Sequence, residues 1–223
     1  MISFRPTEDQ KLMVDSVAQL AKTTLRPKMR DFERARAVPE DVRKTVHELG
    51  LGLVALPEAI GGAGLGMTTA VLLEEEIAWG DPAAGFALGG PGALGFALLE
   101  LATTEQARDA LAPFAGADGH GRFGAVAWGE PKALADRAGL ATLATRAQDG
   151  WRLDGSKSYV LNAELAQSVV VFAQVDATKG WRGLGAFLVR DVKTARGFDV
   201  LPRSTTLGLD AASFGGLRLE GVQ

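Results

Sequence analysis

The feature that most constrains this chain is a change of hydrophobic period near residue 120. Upstream, apolar residues recur at helical spacing. Downstream they come as short runs separated by glycine-rich turns. Helices first and strands second, without βαβ alternation, predict an α+β fold. The expected domains are a helical one over 1–120 and a small β-barrel or sandwich over 121–223. The 223 residues suffice for one large domain or two small ones.

The helical half carries recognisable start and stop signals. Thr7 opens a capping box closed by Gln10. Leu12, Val17, Leu20 and Ala21 follow as one stripe, and Pro27 predicts the stop. Pro39 can start a second helix with Val42, Val46 and Leu49 on one face and Gly50 as its cap. A third is expected over 68–79, a fourth after Asp81-Pro82, and Thr103 with Gln106 repeats the capping box. The apolar stretch 83–102 approaches spanning length, but Gly and Pro interrupt it. It reads as a helix pair or a broken helix in a soluble core.

In the second half, 122–128, 168–175 and 183–190 read as strands, as does the closing FGGLRLEGV. Asp149-Gly150 signals a hairpin.

Composition excludes several functions. With 24 basic against 27 acidic residues there is no footprint for nucleic acid or an anionic membrane. Absence of cysteine removes disulfides, thiolate nucleophiles and Cys-ligated zinc. Only His47 and His120 are available for a histidine site. No basic-then-apolar leader opens the chain, and a cytoplasmic location is expected.

Three motifs fail on inspection. GGAGLG at 61–66 lacks dinucleotide-loop spacing and reads as a helix connection. Gly155-Ser156-Lys157-Ser158 lacks the upstream glycine of a phosphate loop and reads as a turn between strands. Glu74, Glu75 and Glu76 are consecutive on a helix, so they diverge by about 100° and make a solvated face rather than an acid–base pair.

Longer words carry more. HELGLGLVALPEAIGGAGLG at 47–66, WGEPKALAD at 128–136, WRLDGSKSYVLNAELAQSVVVFAQV, GLGAFLVRD and TTLGLDAASFGGLRLEGV occur in order, after the opening helix TEDQKLMVDSVAQLAKTTLRP. The chain thereby resembles the acyl-CoA dehydrogenase family over essentially its whole length. WGEPKALAD is similar to the family's flavin-loop word T-E-P-G-A-G-S-D, and SKSYVLN to K-x-W-I-T-N.

The resemblance implies a helical domain followed by the family's β-domain. It implies FAD as cofactor, an acyl-CoA thioester as substrate, and α,β-dehydrogenation with hydride transfer to the flavin. Flavin contacts are implied at Val126, Trp128, Gly129, Tyr159, Val160 and Leu161, and a substrate contact at Ala135. An oligomer with itself or with another acyl-CoA dehydrogenase subunit is implied as well. The chain ends at Gln223 inside what resembles a strand end of the family. The family's C-terminal helical domain, which carries the catalytic base, is therefore expected to be absent, and no base is assigned. Glu130 matches the loop Glu beside Pro, not the base. Its simpler role is a carboxylate bound by nearby backbone.

This sequence departs from the flavin words at hydroxyls. Gly129, Ala135 and Leu161 stand where the family has Thr, Ser and Thr, while Tyr159 keeps an aromatic where the family has Trp. Lys132 and Leu134 replace two loop glycines. Each lost hydrogen bond is worth about 0.5–1.5 kcal/mol. Two readings follow: a flavoenzyme whose backbone donors replace the hydroxyls, or a flavin-deficient partner subunit of an active enzyme. An unrelated helical-plus-β binding module is a third and would require the ordered words to be coincidental.

Overall fold

The computed structural model describes residues 5–132 and 139–223. They form two compact units. The first comprises Met1–Gly90, Thr104–Gly121 and Thr206–Ala212. The second comprises Pro91–Thr103, Arg122–Thr205 and Ser213–Gln223.

The first unit is helical. α1 (Glu8–Leu20) starts on the predicted capping box, with Thr7 accepting from the Gln10 amide and Gln10 reaching back to the Thr7 N–H. Pro27 does not stop it. The chain passes through one π turn, Ala21–Leu25, straight into α2 (Arg26–Ala35). Proline in the first turn of α2 has no regular i→i−4 bond to lose there, so the helical path continues. Leu12 is also off the expected stripe and largely exposed, whereas Val17, Ala21 and Leu25 are buried. α3 (Glu40–Glu48) buries Val42 and Val46, while Leu49 is exposed because the chain leaves the helix there. Gly50, at φ 69°, turns it.

α4 (Gly66–Gly80) buries Leu73 and Ile77 and leaves Glu74 and Glu75 on its outer side. α5 (Pro82–Ala87) is capped by Asp81, whose Oδ1 accepts from the Ala83 N–H. Ala211, from the late segment of this unit, completes the core around Leu25, Phe32 and Ile77. A later helix of this unit, α7, covers Thr104–Ala115.

The second unit opens with α6 (Ala93–Leu101). The apolar stretch 83–102 is thus two short helices with Gly89, Gly90 and Gly92 in positive-φ geometry between them. Among the described residues no helix is long and apolar enough to cross a membrane.

The strands are β1 (Gly124–Ala127), β2 (Leu143–Ala147), β3 (Gly150–Leu161), β4 (Ser168–Gln174), β5 (Leu184–Arg190), β6 (Phe198–Val200) and β7 (Phe214–Val222). They make one seven-stranded curled mixed sheet in the order β1-β4-β2-β3-β7-β6, with β5 on β4. β1 runs parallel to β4, pairing Val126 with Val170. The Asp149-Gly150 turn joins β2 to β3 as expected.

The GSKS tetrapeptide is not a turn but lies inside β3. Gly155 allows this: a β-carbon there would lie 2.7 Å from Thr142, so only glycine lets the two segments meet. Alternate residues of the strands, among them Ala125, Ala127, Leu153, Val160, Val169, Val171, Leu217 and Leu219, form the core.

Candidate functional site

β1 delivers the site. Its side chains alternate, so Ala125 and Ala127 enter the core while Val126 and Trp128 stand on the other face. Trp128 is 46% exposed. Its ring meets Phe172 edge-on at 4.9 Å and lies within 11° of parallel to Trp181, centroids 6.2 Å apart.

The backbone then turns under a buried ion pair. Lys157 Nζ donates to Glu130 Oε1 at 3.1 Å and to the Trp128 carbonyl at 3.1 Å. The Lys157 side chain is fully buried and that of Glu130 is 6% exposed. The carboxylate also accepts from the Ala141 N–H at 2.7 Å and the Thr142 N–H at 2.8 Å. Burial raises the Glu130 pKa, but these bonds and Lys157 outweigh it and hold the carboxyl below its usual range. Burial pushes the Lys157 ammonium down, and Glu130 opposes that shift. Glu130 is therefore a bound loop carboxylate, and its oxygens are committed to the loop and strand rather than to a ligand.

β3 supplies the second wall. Its register against β7 slips between Lys157 and Val160, which pair with Leu217 and Gly215. Two residues, Ser158 and Tyr159, thus face one, which is a β-bulge. Tyr159 takes φ 52° and projects with 78% exposure. The Ser158 N–H donates to the Gly129 carbonyl at 2.9 Å. A β-carbon on Gly129 would be 3.0 Å from the Ser158 carbonyl, so glycine sets this close approach. Ser158 Oγ is shut off from solvent and has no partner among the described residues.

The residues expected from sequence fall as follows. Val126, Trp128, Gly129, Tyr159 and Leu161 lie along β1, β3 and the loop leaving β1, none of them fully buried. Val160 differs: its side chain is 1% exposed and packs in the core, so only its backbone can face a ligand. Ala135 lies outside the described residues, as do Leu134 and Asp136. Lys157 and Ser158 were missed because GSKS was judged as a failed phosphate loop. The available signal was a lysine at an otherwise inward position of a strand. A cleft of about 540 Å³, lined in part by Gln148, Trp151 and Phe187, contains none of the expected residues. Among the described residues no group of His, Asp or Glu could hold a metal.

Comparison with known proteins identifies the family. Residues 7–118 match the acyl-CoA dehydrogenase N-terminal domain and 125–222 the acyl-CoA dehydrogenase middle domain. The chain belongs to the acyl-CoA dehydrogenase family. It is 30% identical over 204 residues to a mitochondrial isovaleryl-CoA dehydrogenase of Solanum tuberosum, covering 91% of this chain and 48% of the relative. It is 30% identical over 214 residues to the mitochondrial short-chain specific acyl-CoA dehydrogenase of Bos taurus, covering 96% and 51%. Its structure resembles a glutaryl-CoA dehydrogenase from Mycobacterium smegmatis in complex with FADH2, with TM-score 0.83, 26% identity, and coverage of 97% and 54%. The chain spans about half the length of the curated relatives it matches.

Proposed function

We propose that this chain forms the N-terminal and middle portion of an FAD-dependent acyl-CoA dehydrogenase, with the flavin ring lying against Trp128, Gly129 and Tyr159. The observation that carries this reading is the loop after β1: Trp128 and Glu130 are pinned from beneath by Lys157, while the Trp128 indole stays exposed beside Gly129. An ordered backbone edge next to accessible aromatic rings suits a planar, heteroatom-rimmed ligand.

FAD supplies the hydride acceptor when bound. This chain's residues bind and orient it: Trp128 and Tyr159 offer ring faces, Val126 and Leu161 apolar contact, and the backbone at 129 and 160 polar contact. In the dehydrogenation the α-proton must go to a carboxylate other than Glu130, whose oxygens are occupied by Lys157 and two amides. Ala135 is the proposed contact to the acyl-CoA.

The test is the visible absorption spectrum of the purified full-length protein. One flavin per subunit, bleached by an acyl-CoA, is the expected result. A colourless protein that takes up no added FAD overturns the reading. The lack of side-chain hydroxyls at Gly129 and Leu161 favours a second one, a flavin-free subunit that pairs with an active acyl-CoA dehydrogenase. Co-purification of a second, flavin-bearing subunit would distinguish it.

A further inference from the structure

Lys157 is a fully buried charge for which the proposed reaction has no assigned use. Its ammonium is shared between two acceptors, the Glu130 carboxylate and the Trp128 carbonyl. The second contact matters for the ligand side. No peptide bond in the described chain is cis, so the Trp128–Gly129 peptide is trans and planar. In such a unit the C=O and N–H point in opposite directions. With the Trp128 carbonyl aimed inward at Lys157, the Gly129 N–H points the opposite way, away from the buried ion pair. A cation bonded to a carbonyl draws electron density through the peptide and makes the same unit's N–H a stronger donor, most of all where water is excluded. Gly129 is also one of the positions where this chain has no side-chain hydroxyl to offer.

We infer that Lys157 is a positioning residue for the flavin: through the Trp128 carbonyl it fixes and polarises the Gly129 N–H as the donor to the ring, at a position that has no side-chain hydroxyl to share that task. This rests on the proposed flavin site. Glu130 keeps the ammonium in place and compensates its charge. It is held in turn by the Ala141 and Thr142 amides, so the donor is braced from both sides of the loop. A stronger N–H donor at Gly129 would also favour the reduced, more negative flavin.

The experiment compares full-length wild type with Lys157→Met and with the double variant Lys157→Met/Glu130→Gln. The double variant removes both charges with little change of shape, so it leaves no unpaired carboxylate. Three quantities are read: apo-protein stability in urea, the FAD dissociation constant, and the midpoint potential of the bound flavin. The expected result is that the double variant regains part of the stability lost in Lys157→Met, the carboxamide keeping one oxygen for the two amides that bind Glu130. Its FAD dissociation constant stays at least tenfold above wild type and its potential stays lower. If the double variant recovers stability, wild-type FAD affinity and wild-type potential together, Lys157 is only a structural ion-pair partner and the inference is overturned. A wild type that takes up no FAD overturns the flavin site itself, and the inference falls with it.

Discussion

A β-carbon on Gly62 would lie 1.9 Å from the carbonyl oxygen of Leu56. The Gly64 N–H donates to that same oxygen at 2.8 Å, so the segment folds back tightly on the Leu56 backbone. Gly61 and Gly64 take φ of 91° and 67° around it. The GGAGLG stretch is thus a fixed reversal rather than a loose connection, built where only glycine gives both space and left-handed backbone.

Gly62→Ala is therefore expected to cost about 3 kcal/mol or more, as backbone must move. Gly66→Ala is the internal control. Its φ is 76°, but a β-carbon there meets nothing within 4 Å, so only the conformational cost of about 1 kcal/mol applies. Urea denaturation of both variants measures the difference. Equal midpoints would contradict the close contact.

Glu130 gives the acid limb of stability. Its folded pKa is depressed, so its contribution is complete above the ordinary carboxylate range and is lost as pH falls through the folded value. Glu130→Gln should flatten the stability profile on the acid side, below about pH 4.5. Urea midpoints between pH 3 and 7 test this. A variant with an unchanged acid slope would show that the carboxylate does not sense the Lys157 environment.

Asp81 has the opposite sign. Burial, the main cause, raises its pKa, and nearby Glu33 adds slightly to the shift. Its Oδ2 is buried with no partner among the described residues, while Oδ1 caps α5. A carboxyl raised in the folded state favours folding below its unfolded pKa and loses that advantage as pH rises through the folded one. Asp81→Asn keeps the cap and removes the buried charge, so it should equal or exceed wild-type stability at pH 7. Asp81→Ala should lose about 1 kcal/mol with the cap. Thermal denaturation of the pair at pH 5 and pH 7 checks both signs.

The exposed Trp128 offers an optical test of the flavin site. FAD added to the flavin-depleted full-length protein is expected to quench indole emission strongly, and Trp128→Phe to remove much of that quenching. Fluorescence titration measures both. Quenching untouched by the substitution would place the ring away from Trp128.

The α+β class was legible in the change of period at residue 120, because alternation and helical spacing are local properties of the chain. The capping box at Thr7, the Asp81 cap and the Asp149-Gly150 turn were legible for the same reason: each is closed within a few residues. Pro27 misled because the π turn that accommodates it is supported by distant packing. Leu25 and Ala21 lie fully buried against Gly80. β6, only three residues long, carries too little pattern to be seen without its partner β7.

Within the candidate site, resemblance between sequence words is what picked out Val126, Trp128, Gly129, Tyr159 and Leu161 as the proposed ligand-facing residues, since such words are read along the chain. It could not pair Glu130 with Lys157 across 27 residues, nor send the Val160 side chain inward and Tyr159 outward. Those outcomes depend on a bulge in β3 and on the register of β3 against β7. Register is set by which faces can be buried together, a property of the assembled sheet. A buried charge finds its partner only once that sheet has excluded water.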